Sequence, residues 1–213
     1  MTTGAVAGTK TRHERRRRKN REALINAGYK IIAEKGIDAA TMAEIAEAAD
    51  VGAGTAYNHF ASKDELVMVV MEQVMHRLAI RIKAATESFD DPAQVFAFGV
   101  LTTMQTATTD SRWRWLLRRS EVIADAMFRV LGPYAIHDLE RAAKAKRFRF
   151  RDAALVYRMA THAIVGFCLT ACDGETTPGD MNEAVVLLLG LAGMSRKEAE
   201  EICKRNWPKL PRD

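Results

Sequence analysis

Residues 41–60, TMAEIAEAADVGAGTAYNHF, decide the fold of this chain. Thr41 and Glu44 have the spacing of a capping box, in which each side chain accepts a hydrogen bond from the other residue's backbone N–H, so a short helix is predicted to start here. A tight turn follows at 49–52, and a second short helix is predicted over 53–60. Two short helices joined by a tight turn form a helix-turn-helix, whose second helix enters the major groove of DNA.

The predicted second helix starts with small residues, from Gly52 through Gly54 to Ala56. Small side chains let the helix backbone approach DNA closely. The cost is helix propensity, because a glycine inside a helix is about 1 kcal/mol less favourable than alanine.

Upstream of the motif, residues 10–21 read KTRHERRRRKNR, with eight basic residues and one acidic residue. This net +7 exceeds the +5 of the whole chain, so the remaining residues sum to −2. Such a run can bind phosphates, because it releases condensed counterions from nucleic acid. A solubilising or disordered tail is an alternative, and so is a membrane-surface patch, although residues 1–20 have no apolar face to insert.

The rest of the chain reads as helices only. The whole chain has 213 residues, of which 48% are hydrophobic and 28% charged, as in ordinary globular proteins. Further helix starts are predicted where a cap residue precedes Glu or Pro: Ser62-Lys-Asp-Glu65, Asp91-Pro92, Thr177-Pro178 and Ser195-Arg-Lys-Glu198. The longest apolar run, 184–194, is shorter than the ~18 residues of a membrane span.

The predicted fold is all-α, with an N-terminal three-helix helix-turn-helix domain and a C-terminal helical domain, to which the family resemblance given below assigns ligand binding and dimerisation. We expect an arm at 1–14 to be disordered. The DNA-binding domain is placed at 15–66, the helical domain at 67–205 and a tail at 206–213.

Two C-terminal segments are unusually apolar. From Phe150 to Ala171, apolar residues recur at alternating spacings of four and three, as in a heptad seam, and the adjoining face is also apolar. The next predicted helix, Pro178 to Gly193, is apolar nearly all round. One apolar face must be buried internally, and a partner subunit is the place for the other, unless both helices are central in a monomeric bundle. The residues predicted to pair across a homodimer interface are Tyr157, Thr161, Ile164, Cys168, Val185 and Leu188.

Residues 22–66, EALINAGYKIIAEKGIDAATMAEIAEAADVGAGTAYNHFASKDEL, resemble the DNA-binding domain of the TetR family of bacterial transcriptional regulators. The matching elements are Ala33 to Gly36, Thr41, Ile45-Ala46, Ala49, Val51-Gly52, Gly54-Thr55, Tyr57, His59-Phe60 and Ser62-Lys63. The resemblance implies a homodimer in which the last two long helices pair across a two-fold axis. It also implies that a small molecule bound in the variable body releases or tunes DNA binding.

The resemblance also implies which residues contact double-stranded DNA. Thr41, Tyr57, His59 and Lys63 would hold phosphates, which fixes the register without reading sequence. Ala53, Thr55 and Asn58 would face base edges, where Asn58 suits adenine and Thr55 a thymine methyl. This chain has Gly52 where the family often has serine, and no Lys or Arg near Ala53. The arm residues Arg15, Arg16, Arg17 and Arg18 are expected to compensate at a minor groove or at flanking phosphates.

The family's pocket lies among the central helices of the body. Aromatic and sulfur-bearing side chains outside the seams are candidates to line it, and they suit an apolar or aromatic ligand, although such residues also build cores. These candidates are Phe96, Met104, Trp113, Trp115, Met127, Phe128 and Phe167.

No catalytic motif of the common hydrolase, kinase, nucleotide-binding or zinc-protease types occurs in the sequence, so we expect neither an enzyme nor a cofactor. The one conceivable metal or redox cluster is His162, Cys168, Cys172 and Asp173, where buried cysteines can equally be small hydrophobic residues. The three cysteines suit a reducing bacterial cytoplasm, with no membrane partner.

The predicted function is a homodimeric repressor that a small-molecule effector releases from a palindromic operator. The alternatives are a ligand-binding or enzymatic protein with a vestigial helix-turn-helix, and an activator or architectural DNA-binding protein.

Overall fold

The structure, a computed structural model, describes residues 11–118, 120–177 and 179–211, and across these ranges it contains helices and no strands. The all-α prediction is therefore confirmed. The helices, in chain order, are α1 Arg12–Lys35, α2 Met42–Ala48, α3 Ala53–His59, α4 Lys63–Ala85, α5 Pro92–Thr109, α6 Ser111–Leu117, α7 Ser120–Val130, α8 Gly132–Lys144, α9 Ala153–Cys172, α10 Asp180–Leu191 and α11 Arg196–Cys203.

The chain divides into two compact units, one up to Val70 and the other from Met71 onward. The first unit holds α1, α2, α3 and the start of α4, and it ends four residues later than the predicted boundary after Leu66. The physical reason is close packing against α1. A Cβ built on Gly28 would lie 3.3 Å from a Val70 methyl and 3.5 Å from a Leu66 methyl. The first two turns of α4 thus belong to the core of the first unit.

The helix α1 begins at Arg12, three residues before the predicted domain start at 15. Thr11 accepts a hydrogen bond from the Glu14 backbone N–H, and the Glu14 carboxylate accepts one from the Thr11 N–H. This capping box explains why the helix extends into the segment expected to be disordered. Residues 1–10 of that predicted arm lie outside the described residues.

The predicted caps at Thr41, Asp91 and Ser195 are all present. At Ser62 the box differs in part, because the Glu65 carboxylate accepts from the Ala61 N–H while Ser62 Oγ accepts from the Glu65 N–H. The start predicted at Thr177-Pro178 is shifted. Pro178 lies outside the described residues, and α10 begins at Asp180, whose carboxylate accepts from the Thr177 N–H at 2.6 Å.

The core of the second unit is built around α5, an apolar helix that packs against α6, α8, α9, α10 and α11. By length and composition alone α9 is apolar enough to cross a membrane. It packs against α5, α6, α7, α8 and α10, and this packing buries part of its apolar surface.

Burial within one chain corrects the predicted dimer interface. Tyr157, Thr161, Ile164, Cys168, Val185 and Leu188 are each at most 6% exposed, so they form the core of a single protomer. The apolar residues that α9 and α10 expose lie on their other faces: Leu155 is 56% exposed, Met159 54% and Leu187 62%. The apolar periodicity of α9 and α10 does not distinguish the face that is buried in the protomer from the face that is exposed.

Candidate functional site

The second helix of the motif, α3, presents its small residues outward. Ala56 is fully buried, and so is Phe60 directly after the helix. At roughly 100° per residue, Gly54 and Asn58 lie on the side of α3 opposite Ala56. A Cβ built on Gly54 would meet no atom within 4 Å. The outward side of α3 is therefore open to the close approach of another molecule.

The residues predicted to contact DNA surround this outward side. Tyr57 is 56% exposed although it is aromatic. Gly52 is the N-cap of α3 and makes no side-chain cap hydrogen bond, as expected from the missing serine hydroxyl. The remaining side chains of α3 that were predicted to reach DNA are exposed or half-buried: Ala53, Thr55, Asn58 and His59.

The basic residues of α1 lie beside the end of α3. Burial, and next the charges of Arg17 and Arg21, lower the pKa of the His59 imidazole below its ordinary value. The Arg21 guanidinium also lies 5.1 Å from the centroid of the Phe60 ring. All four residues predicted for the basic arm are exposed on the first turns of α1: Arg15, Arg16, Arg17 and Arg18. The start of α1 and the end of α3 thus form one positively charged surface.

The start of α2 is held by a hydrogen-bonded cluster. Thr41 Oγ1 accepts from the Glu44 N–H and donates to the Glu44 carboxylate at 2.7 Å. The Lys35 ammonium donates to the same carboxylate. The hydrogen bond from Lys35, followed by those from Thr41, lowers the pKa of Glu44 to about 2. Thr41 remains exposed, so its capping role leaves the residue accessible to a phosphate.

Lys63, predicted to hold a phosphate, is bound to the protein's own backbone. Its ammonium group donates to the carbonyls of Ile37 at 3.1 Å, Asp38 at 3.4 Å and Ala40 at 3.1 Å. An ammonium group has three N–H donors, so all of them are engaged in holding the α1–α2 loop. A phosphate contact by Lys63 requires it to leave these partners.

A cavity of about 270 Å³ lies within the second unit. Its walls come from α4, the following loop, α5, α7, α8 and α9, and they are mainly apolar. Phe89 and Phe96 contribute aromatic rings, and Met127, Tyr157 and Ile164 contribute further apolar surface. The volume lies just below the ~300–1,000 Å³ of typical ligand sites, so this cavity suits a small molecule.

One side of the cavity is polar. Lys83, Glu87 and Arg141 are exposed at its rim, and Tyr134 and Asp138 are half-buried. Burial raises the pKa of the Asp138 carboxyl, although Arg141 lies 3.6 Å away and opposes this shift. The cavity therefore joins an apolar interior to two carboxyls, a phenol and two cations.

Two buried threonines also border the cavity. Thr86 Oγ1 donates to the carbonyl of Ile82 at 2.9 Å, and Thr103 Oγ1 donates to that of Gly99 at 2.7 Å. Because their protons are used within the helices, these hydroxyls offer only acceptor lone pairs to a ligand. Together with Asp138, they favour a ligand that donates hydrogen bonds.

The cysteine region has the properties of a core. Burial, followed by the neighbouring Cys172, raises the pKa of Cys168 to about 12, so its thiol stays protonated and unreactive. In the described ranges no group of three or more His, Cys, Asp or Glu side chains is placed to hold a metal. In this part of the chain, His162, Cys168, Cys172 and Asp173 are not gathered into such a group.

Comparison with known proteins identifies the family. The family model for bacterial regulatory proteins of the tetR family matches residues 24–70, and the model for the tetracyclin repressor-like C-terminal domain matches residues 91–205. The chain belongs to the TetR family. Its first unit therefore carries the helix-turn-helix of this family of bacterial regulatory proteins.

Relatives of the TetR family match about a third of the chain. The regulator BetI of Rhizobium meliloti is 31% identical over 74 residues, which is 35% of this chain and 36% of BetI. UidR of Escherichia coli K12 is 31% identical over 67 residues, 32% of this chain and 34% of UidR. The matches thus span about a third of the length of these relatives.

Solved structures match the TetR-family chain over more of its length. RolR in complex with resorcinol has a TM-score of 0.85 and 26% identity, covering 93% of this chain and all of RolR. The repressor FadR of Thermus thermophilus, in complex with lauroyl-CoA, has a TM-score of 0.65 at 20% identity. It covers 81% of this chain and 92% of that protein, and at this identity it shows the fold alone.

Of the seven residues predicted to line the pocket of this TetR-family protein, Phe96 and Met127 do so. Met104 and Trp113 are buried in the core away from the cavity, and the other three are half-buried elsewhere: Trp115, Phe128 and Phe167. Phe128 instead stacks under Arg158, whose guanidinium lies 4.1 Å from the ring centroid. An aromatic residue alone does not distinguish a pocket wall from a core.

Sequence reasoning missed the polar side of the cavity. Tyr134, Asp138 and Arg141 follow one another at spacings of four and three on α8, which places them on one helix face. That spacing was a usable signal, because a tyrosine, a carboxylate and a guanidinium share a face beside an apolar core. Lys83, near the end of α4, and Glu87, in the loop that follows, are also four residues apart.

Proposed function

We propose that this protein is a homodimeric repressor in the bacterial cytoplasm that binds a palindromic operator and releases it on binding a small hydroxylated aromatic molecule. The observation that carries the proposal is the outward side of α3. It offers Gly54 and Asn58 opposite a buried face, beside the cationic start of α1. An open helix surface flanked by cations suits insertion into a major groove between two phosphate backbones.

In this proposal Ala53, Thr55 and Asn58 face base edges. The Asn58 amide donates one hydrogen bond to adenine and accepts another from it in the major groove. Gly52 allows close approach of the backbone at the start of α3. Phosphates are held by Thr41, Tyr57, His59 and the exposed arginines at 15–18. Lys63 contributes by fixing the loop that positions Thr41, rather than by direct contact.

The proposed dimer uses the exposed faces of α9 and α10. These two packed helices together expose Leu155, Met159 and Leu187, which are large apolar side chains with no covering in the protomer. Two-fold pairing places each residue in the interface twice. A dimer also explains a palindromic operator, because two symmetric units read two half-sites about one helical turn or a multiple of it apart.

The proposed effector class follows from the cavity. Its small volume favours a single-ring molecule over a long acyl-CoA, and its aromatic walls favour a flat ring. Asp138 and the two threonine hydroxyls accept hydrogen bonds, so they suit a ring carrying hydroxyl groups. The structural similarity to RolR, which was solved with resorcinol, supports the same class.

Selection of bound sequences from randomised DNA tests the proposal. We expect recovery of a palindromic site, followed by release of that site on titration with resorcinol and related phenols but not with lauroyl-CoA. Recovery of no preferred sequence would overturn the repressor role. Release by the acyl-CoA alone would overturn the effector class, and transcription that rises with operator occupancy would replace repression by activation.

The proposed His59–phosphate contact predicts a pH dependence of operator binding. In the free protein, burial and then Arg17 and Arg21 lower the pKa of His59. A nearby phosphate opposes those cations and raises it again, so the complex takes up a proton and binding strengthens as pH falls below about 6.5. We expect a gain of up to about tenfold per pH unit over that window at fixed salt, measured by fluorescence anisotropy.

His59→Gln should abolish this gain, whereas His137→Gln, in the other unit, should preserve it. The pH dependence of folding stability has the opposite sign to that of operator binding. The unfolded state binds the His59 proton more readily, so the native protein loses stability as pH falls through the same window. An operator affinity that does not change with pH would exclude the proposed contact.

Lys63→Met should destabilise the first unit. The substitution leaves the partly buried carbonyls of Ile37 and Ala40 without their donor, which costs about 1–3 kcal/mol. Urea denaturation measures the loss, and Lys30→Met, at an exposed position of α1, is the matched control. Unchanged stability with a shallower salt dependence of operator binding would show instead that Lys63 holds a phosphate.

A further inference from the structure

The segment that follows α11, residues 204–211, packs against the second unit through Trp207. We call it the tail segment. The Trp207 ring centroid lies 5.8 Å from that of Phe98 and 6.5 Å from that of Phe89, and the rings of Phe89 and Phe98 form an edge-to-face pair at 6.0 Å. Three aromatic rings from α5, the α4–α5 loop and the tail segment thus form one cluster.

Phe89 connects this cluster to the cavity. It belongs to the loop at 86–90 between α4 and α5, and it lines the cavity together with Thr86 and Glu87 from the same region. Its backbone N–H donates to the Thr86 carbonyl at 3.0 Å. Phe89 is therefore a cavity wall that also contacts the tail segment.

The tail segment is fastened on both sides of Trp207. Before it, Arg205 donates to the Asp91 carboxylate at 3.0 Å and to the Gln94 side-chain oxygen at 2.6 Å, at the start of α5. After it, the Pro211 carbonyl accepts from Arg81 Nε of α4 at 2.6 Å. The segment therefore runs from the start of α5 to α4, the two helices that the Phe89 loop connects.

The charge at the first anchor is well compensated. Asp91 caps α5 and also pairs with Arg147 at 3.2 Å. Although burial opposes it, the hydrogen bonds from Arg147, Ala93 and Arg205 lower the pKa of Asp91. The carboxylate therefore stays ionised near neutral pH and keeps the Arg205 anchor in place.

We propose that the tail segment is a strap that holds Phe89 in place as a wall of the effector cavity, with Trp207 as the positioning residue. This inference rests on the proposed function of the cavity. The C-terminal family model ends its match at residue 205, so Trp207 and Pro211 lie beyond what that model describes. A wall fixed before binding costs less ordering when the ligand enters, so it strengthens binding.

The test compares full-length Trp207→Ala and Trp207→Phe with the original protein, and Lys209→Ala is the matched control at an exposed position of the same segment. A chain ending at Arg205 is a second variant, which lacks Trp207 and therefore its ring contacts with Phe89 and Phe98. Hydrogen exchange of amides 86–90 measures the wall without any ligand. Resorcinol titration of the operator complex measures effector strength, and operator affinity without effector is measured alongside.

We expect exchange at 86–90 to rise on the order of tenfold in Trp207→Ala and in the truncated chain. The resorcinol concentration for half-release should rise by about five- to tenfold in the same two variants. Trp207→Phe should stay close to the original protein in both measurements, because it keeps an aromatic ring at this position. Lys209→Ala should match the original protein. Operator affinity without effector should be the same in all variants.

If hydrogen exchange of amides 86–90 is unchanged in both Trp207→Ala and the truncated chain, the tail segment does not hold Phe89 and the proposal is wrong. A parallel loss of operator affinity would also overturn it, because it would show a general structural role. If resorcinol releases no operator from any of the proteins, the effector class proposed above is wrong. The exchange result then still decides whether the tail segment holds Phe89.

Discussion

Leu187→Glu is expected to convert the protein to a monomer and to weaken operator binding by about a hundredfold or more. Leu187 is 62% exposed, the largest exposed fraction among the big apolar side chains that the structure describes. In the proposed dimer it is buried, and two-fold symmetry would bury two unpaired carboxylates there at once. A monomer presents one α3, so it loses the effective concentration that links two half-sites.

Light scattering after size-exclusion chromatography measures the mass, and a titration with a two-half-site operator measures the affinity. Ile80→Glu is the matched control, because Ile80 is also a large apolar residue, 51% exposed, but lies on α4. It should leave both measurements unchanged. A Leu187→Glu protein that remains dimeric would show that α10 does not pair across the two-fold axis.

Local signals explain why the DNA-binding unit was predictable from the sequence. A capping box acts over three residues, so Thr41 and Glu44 reveal a helix start without any knowledge of the tertiary structure. Small residues between two such starts then indicate the turn and α3. Lys63 shows the limit of this reasoning. Its position matches the family pattern, yet only the folded loop brings the carbonyls of Ile37 and Ala40 to its ammonium group.

The faces of α9 and α10 were harder to assign, because both helices are apolar on more than one side. Periodicity shows that Ile164 and Cys168 share a face, but only their burial in the folded protomer shows that this face is internal. The residues that line the cavity are still harder to predict from the sequence. Its walls come from five helices and a loop, so Phe96 lines it and Trp113 does not for reasons that lie outside either local sequence.

Gly54→Ala and Gly54→Leu are expected to change folding and DNA binding in different ways. In the free protein a Cβ at Gly54 meets no atom within 4 Å. Alanine should therefore stabilise the unit by up to about 1 kcal/mol, because it restricts the unfolded chain and favours the helix. In the proposed operator complex the same Cβ would point toward the groove. We expect affinity to fall on the order of tenfold for alanine and a hundredfold or more for leucine.

Urea denaturation and operator titration of the same samples measure the two effects. Asn26→Leu adds an equal apolar side chain at an exposed position of α1, and it should leave operator affinity unchanged. A general loss of folding lowers stability and affinity together, whereas a blocked groove contact lowers affinity alone. If Gly54→Leu binds the operator as tightly as the original protein, α3 does not enter the major groove by its Gly54 side. A loss graded with side-chain size at unimpaired stability therefore supports close approach of the α3 backbone to the bases.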